Sequence, residues 1–237
     1  MLFEHRTYTL KPGTLERFWL AQDERGYAAV RPILERLVGY FSACTGSSDQ
    51  VVHLYRYDSY EDWMARLHGL YLVSELEPYF RTVRALMSAQ ENKFLMPAPI
   101  AELSPLWSGA QDWRPSRGAV FRKGTVDGEA LVEEETTTLL PGAMPSYWQA
   151  YREHGLRLLE DQSEQLMGCF TSVVGRLHQV VQYRVHAEPA EWQQAQDARR
   201  RNPHWLALQR AVRPLVVSDE SKLLQPAAIS ELSPLFA

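Results

Sequence analysis

LFEHRTYTLKPG, residues 2–13, returns as LVEEETTTLLPG at residues 131–142. Leu2, Glu4, Thr7, Thr9, Leu10, Pro12 and Gly13 all reappear 129 positions on, and that displacement holds without a gap to the end of the chain. Ala21, Glu24, Gly26, Leu37, Gly39, Phe41, Gly46 and the run Gln50-Val51-Val52 recur, as do Trp19 and Trp63. The tail Glu102-Leu103-Ser104-Pro105-Leu106 comes back as Glu231-Leu232-Ser233-Pro234-Leu235. A long period seen only twice predicts two tandem domains rather than a solenoid. The expected division is 1–107 for the first repeat, 108–118 (SGAQDWRPSRG) for a linker and 119–237 for the second repeat.

Each repeat spells the same elements. Leu2–Leu10 alternates like a strand, and Pro12-Gly13 ends it. From Thr14 to Leu37 the apolar residues Leu15, Phe18, Trp19, Val30, Ile33 and Leu34 fall at helical spacings, with Gly26 and Pro32 expected to bend or interrupt the helix. Val38–Thr45 and Gln50–Tyr57 read as two strands joined at Gly46-Ser47-Ser48-Asp49. A second helical region starts at Ser59, an expected N-cap, runs through Trp63, Leu67 and Leu70, and resumes from Leu76 to Met87. Glu91–Met96 closes the unit as a strand, and Ala119–Thr138 suggests an extra hairpin about Asp127-Gly128. The order β-α-β-β-α-β is the ferredoxin-like unit, with both helices on one sheet face. Its other face needs a cover, which the second copy supplies. The expected fold is therefore α+β, two tandem ferredoxin-like repeats forming a pseudo-dimeric α/β barrel.

Composition excludes several classes. A net charge of −4 on 237 residues gives no reason to expect a nucleic-acid partner, and Arg199-Arg200-Arg201 reads as a solvated helix end. With no leader-like segment and no run of about 18 apolar residues, the expectation is a cytoplasmic protein without a membrane span. Cys44 and Cys169 do not occupy equivalent positions, so no disulfide framework is expected and each reads as a small buried residue. No Gly-rich phosphate loop, GxSxG or HExxH occurs.

Three motifs then carry a resemblance. Glu4-His5-Arg6-Thr7-Tyr8-Thr9-Leu10-Lys11-Pro12-Gly13, Leu37-Val38-Gly39-Tyr40-Phe41 and Val51-Val52-His53-Leu54-Tyr55-Arg56-Tyr57-Asp58-Ser59 together resemble the NIPSNAP family. The resemblance runs from about Leu2 to Pro97 and, more weakly, from about Leu131 to Pro226. It implies the dimeric α/β-barrel fold shared with antibiotic-biosynthesis monooxygenases, chlorite-dismutase-like and EthD-like proteins. A fold does not supply a reaction.

Strand parity proposes where chemistry sits, because side chains at i and i+2 share a face. Glu4, Arg6 and Tyr8 fall on one face of the first strand, and His53, Tyr55 and Tyr57 on one face of the third. Val52 and Leu54, being apolar, are expected to meet the helices, which turns the polar set away from them. In the second copy Glu133 is retained, while Arg6, His53, Tyr55 and Tyr57 become Glu135, Gln182, Arg184 and His186. The expectation is one asymmetric interior lined by both copies. Glu4, Arg6, His53, Glu133 and Arg184 are its catalytic candidates, and Tyr8, Tyr55, Tyr57, Glu135 and His186 its ligand-binding ones. The functional reading is a small-molecule-binding protein without a tightly bound cofactor. It would act by acid/base chemistry (isomerisation, cyclisation, dehydration or oxygenation), as the internal pseudo-dimer or as a further homo-oligomer. The alternatives are a non-catalytic platform whose charges form ion pairs, a haem protein ligated by His53 or His186, and a metal site of His53, His186 and Glu133.

Overall fold

The structure, a computed structural model, describes residues 1–122, 130–162 and 166–237, with the backbone alone for 160–162. The first repeat contains β1 (Leu2–Leu10), α1 (Leu15–Arg25), α2 (Arg31–Leu34), β2 (Leu37–Ala43), β3 (Gln50–Tyr57), α3 (Tyr60–Tyr71), α4 (Glu77–Leu86) and β4 (Met87–Pro97). The second contains β5 (Leu131–Leu139), α5 (Met144–Ala150), α6 (Leu156–Gln162), β6 (Leu166–Val174), β7 (Gln179–His186), α7 (Pro189–Arg201), α8 (Pro203–Val212) and β8 (Val216–Pro226). The strands hydrogen-bond in the order β1-β3-β2-β8-β5-β7-β6-β4 and the ladder closes. This is the expected α+β architecture, a pseudo-dimeric α/β barrel of two ferredoxin-like repeats.

Local chemistry explains the breaks. Gly26, at φ +68°, ends α1 in backbone that L side chains avoid, and Pro32 opens α2. The second copy instead joins α5 to α6 through a π-helical turn, Tyr151–Gly155. There a Cβ on Gly155 would lie 2.5 Å from the Tyr151 ring. Both β2 and β6 carry a register shift at their glycine, because a Cβ on Gly39 would fall 2.6 Å from the Phe41 ring and one on Gly168 2.9 Å from that of Phe170. Ser59 caps α3 as expected, its hydroxyl accepting from the Asp62 amide at 3.3 Å.

Two strand ends differ from the sequence reading. β4 follows α4 without a loop and starts at Met87 rather than Glu91, held at its start by the Ser88 hydroxyl on the Thr9 carbonyl at 2.9 Å. Met87 is half-buried, but Ser88, Ala89 and Gln90 after it are all exposed, so the start of the strand carries no apolar alternation. Cys44 is exposed, just past the end of β2, whereas Cys169 is buried on β6 as expected. The hairpin tip at Asp127-Gly128 lies outside the described residues.

The chain forms two compact units. The first comprises Met1–Phe94, Arg114–Arg122 and Leu224–Ala237, and the second Leu95–Trp113 and Lys123–Leu223. In the first, Phe18 and Ala21 of α1 and Val83 and Leu86 of α4 pack on Leu37, Tyr40, Val51, Tyr55 and Tyr57 of the strands. In the second, Tyr147, Trp148, Leu208 and Val212 pack on Leu166, Cys169 and Val180. The helices therefore meet the face that carries Tyr8, Tyr55 and Tyr57, and the parity assignment is corrected. Parity grouped the side chains properly and named the wrong face. β3 and β7 are buried along their whole length on both sides, so the apolarity of Val52 and Leu54 does not mark the helix side. Among the described residues no helix is long and apolar enough to cross a membrane.

Candidate functional site

In the first unit the polar set lies between sheet and helices. β1 and β3 are antiparallel with Glu4 opposite Tyr55 and Arg6 opposite His53, and β2 sets Tyr40 opposite His53 from the other side. Arg6 Nε pairs with Glu4 Oε1 at 2.8 Å, and Glu4 also accepts from Asn92 Nδ2 at 2.7 Å and the Tyr57 hydroxyl at 3.2 Å. The Arg6 guanidinium lies 5.2 Å from the Tyr55 ring centre, and the Tyr55 and Tyr40 hydroxyls are 2.8 Å apart. His53 stacks on Tyr40 at 3.7 Å and meets the Tyr8 ring edge-on at 4.4 Å. A cavity of about 70 Å³ opens beside Arg6, His53 and Tyr55, walled by Arg25 of α1 and Tyr79 of α4.

This cleft contains polar atoms without partners. His53 is 2% exposed, and neither ring nitrogen makes a hydrogen bond. Arg6 Nη2, Arg25 Nη2 and Gln22 Nε2 are likewise buried and unpaired. Gln22 is fixed by donors to its oxygen, from Arg25 Nη1 and the Tyr79 hydroxyl at 2.9 Å each, which leaves its amide nitrogen as the free donor. Burial, aided by the charges of Arg6, His5 and Arg25, pushes the His53 imidazole well below its ordinary value, so the ring is neutral at pH 7. Burial raises the phenols of Tyr8, Tyr40, Tyr55 and Tyr57, which keeps them protonated donors.

The second unit builds the equivalent place differently. Glu133 accepts from Trp192 Nε1 at 3.1 Å, Gln196 Nε2 at 2.6 Å and Arg199 Nη2 at 2.6 Å, with His186 Nε2 at 3.8 Å. Burial opposes ionisation of Glu133, but His186, Arg199 and Trp192 outweigh it and hold the carboxyl down at about 2. Arg199 Nη1 also reaches Glu135 at 3.1 Å, and Arg184 pairs with Glu135 and donates to Gln182 Oε1 at 2.8 Å. A cavity of about 210 Å³ lies beside Glu135, Gln182, Tyr147 and Tyr151.

The expected common interior is thereby corrected. Glu4, Arg6, Tyr8, His53, Tyr55 and Tyr57 sit together in the first unit, and Glu133, Glu135, Arg184 and His186 in the second, each set against its own unit's helices. Arg199 was misread as part of a solvated run. It is 2% exposed, and the helical spacing of Trp192, Gln196 and Arg199 places all three on one face of α7. Gln22 and Arg25 were also missed, although with Phe18 they share one face of α1 at helical spacing.

The NIPSNAP family profile matches residues 3–102 and 132–231. The chain belongs to the NIPSNAP family. A NIPSNAP-like domain protein from Burkholderia xenovorans is 35% identical over 42% of this chain and 86% of its own, with a TM-score of 0.40. A protein from Fusobacterium nucleatum, provisionally named a monooxygenase, superposes over 95% of this chain and 91% of its own at a TM-score of 0.61 and 7% identity. An anthrone oxidase-like protein does so over 95% and 91% at 0.60 and 12%. These last two share the fold. No functionally curated protein matches the chain.

Neither NIPSNAP repeat presents a metal centre among its described residues, where no three His, Cys, Asp or Glu side chains are grouped to hold an ion. Nor does the cleft at His53 fit haem. Its roughly 70 Å³ is too small to admit a porphyrin ring. Around the first NIPSNAP cleft stand instead two guanidiniums with a free donor each, Arg6 and Arg25, and a neutral imidazole, supplied by two strands and α1.

Proposed function

We propose that this two-repeat NIPSNAP protein binds a small organic molecule by seating its acceptor end in the sheet–helix cleft of the first unit, and moves a proton on it without a tightly bound cofactor. The observation that carries this reading is the convergence of Arg6 Nη2, Arg25 Nη2 and the unpartnered His53 ring on one cavity. A buried polar group left unpaired costs about 1–3 kcal/mol, so a fold that keeps several around one cavity gains by admitting an acceptor. A carbonyl or phenolate oxygen against Arg6, itself steadied by Glu4, would place an adjacent C–H beside a neutral base, His53. Isomerisation, cyclisation or dehydration would follow such a deprotonation. The names of the two fold relatives add oxygenation, with dioxygen as co-substrate. A non-catalytic platform is the second reading, and the closed Glu133–Arg199–Glu135 network favours it for the second unit.

Native mass spectrometry of the purified full chain tests this. The reading expects a co-purifying small molecule that is lost in His53→Ala and kept in Glu133→Gln. A ligand retained by His53→Ala, or absent from every form, would leave the platform reading.

A further inference from the structure

A cavity of about 500 Å³ lies in the first unit, apart from Glu4 and His53. Its walls are Arg31 and Leu34–Arg36 at α2, Arg66 of α3, Arg114–Ser116 of the inter-repeat segment, and Glu231 and Pro234 of the tail. Its size lies within the range of small-molecule sites. Four of the lining residues are arginines, and a fifth, Arg56, pairs with the same Asp58 that holds Arg36 and Arg114.

The carboxylates present are already shared. Asp58 takes Arg36 Nη2 at 2.7 Å and Arg114 Nη2 at 3.0 Å besides Arg56, and these contacts, the Arg56 hydrogen bond foremost, hold it ionised with a value of about 2. Asp62 takes Arg36 Nε at 3.0 Å and Arg66 Nε at 2.7 Å, and Glu35 meets Arg66 Nη1 at 3.3 Å. Arg31 lines the same cavity and acts on the Glu231 carboxylate, and each guanidinium carries five N–H donors. Four guanidiniums thus line a cavity of metabolite size.

The second copy separates this cluster from the needs of the fold. Arg31, Arg36, Arg56, Asp58 and Arg66 correspond there to Glu160, Gln165, Val185, Ala187 and Ala195. The same strand–helix order forms without these charges, so a ferredoxin-like repeat does not require them.

We propose that this cavity is a binding site for a small molecule carrying two or more phosphate groups, since the planar arginine fork matches phosphate bidentately. The test is isothermal titration calorimetry on the full chain with inorganic pyrophosphate as probe and tricarballylate as a polycarboxylate of similar charge. Arg31→Gln/Arg114→Gln, at an exposed and a half-buried position, is compared with Arg200→Gln, a surface change outside the cavity. Saturable binding of one pyrophosphate, weakened about tenfold or more by the double change and kept by Arg200→Gln, is the expected result. Equal affinity for tricarballylate would overturn the phosphate assignment. The absence of saturable binding, or an equal loss in Arg200→Gln, would overturn the site.

Discussion

Glu4 and Glu133 occupy the same place on β1 and β5, yet Glu4 is met by Arg6 from its own strand, whereas Glu133 is met by Arg199 from α7. Where α7 presents Trp192, Gln196 and Arg199 to its strand, α3 carries Trp63, Leu67 and Leu70 at the matching positions. The second unit thus fastens helix to sheet through charge and completes its carboxylates. The first unit leaves Trp63 Nε1 unpaired and, beside its cavity, Arg6 Nη2 and the His53 ring, whereas in the second the unpaired Arg199 Nε and His186 ring nitrogens belong to the residues around Glu133. One fold element can bolt a helix to the sheet or leave the strand's carboxylate to an arginine of its own strand, according to which side of the cleft supplies the cation.

The largest effect that would break this contrast is expected at the bolt. Arg199→Ala leaves Glu133 buried without its cation and should cost about 3–5 kcal/mol in urea denaturation. Leu70→Ala, at the equivalent position in a half-exposed stretch of α3, should cost clearly less. Equal losses would mean that the ion pairs do not hold α7. Next come the bulge glycines. Gly39→Ala and Gly168→Ala each force a Cβ against an aromatic ring and should destabilise by about 1–3 kcal/mol, with Gly39, at 2.6 Å, the worse of the two.

The fold was legible because a 129-residue shift aligns every strand with its copy and keeps the order of helices between them. The site was legible in membership only. Parity put Glu4 with Arg6 and His53 with Tyr55, but the helix contributions from Gln22, Arg25 and Arg199 depend on packing between segments distant in sequence. A run of three arginines carries no mark of which one points inward. Nor could alternation choose a face on β3, where Val52 and His53 are equally buried.

The two units should also respond to acid in different windows. His53 lies below its unfolded value of 6.5, so its contribution is whole above that pH and is lost as pH falls, because the unfolded chain binds the proton first. Glu133 is held at about 2 against 4.5, so its contribution stays intact to about pH 4.5 and is lost from there toward about 2. Stability measured against pH should therefore decline first through the first unit, and His53→Gln should flatten that early slope. An unchanged slope would remove His53 from the account. The smallest contrast is at the helix caps. Ser59→Ala should cost about 1 kcal/mol, whereas Glu188, at the same position before α7, makes no capping bond, so Glu188→Ala should be near neutral by thermal melting.

Nitrogen-15 NMR of the histidine rings addresses the first cleft most directly, by following His53 from about pH 7 to about pH 5. The imidazole should remain neutral across that range, and its ring nitrogens should shift when the co-purifying small molecule is returned to stripped protein. A His53 that titrates near 6.5, with ring shifts indifferent to that molecule, would mean an ordinary hydrated histidine and no binding cleft in the first repeat.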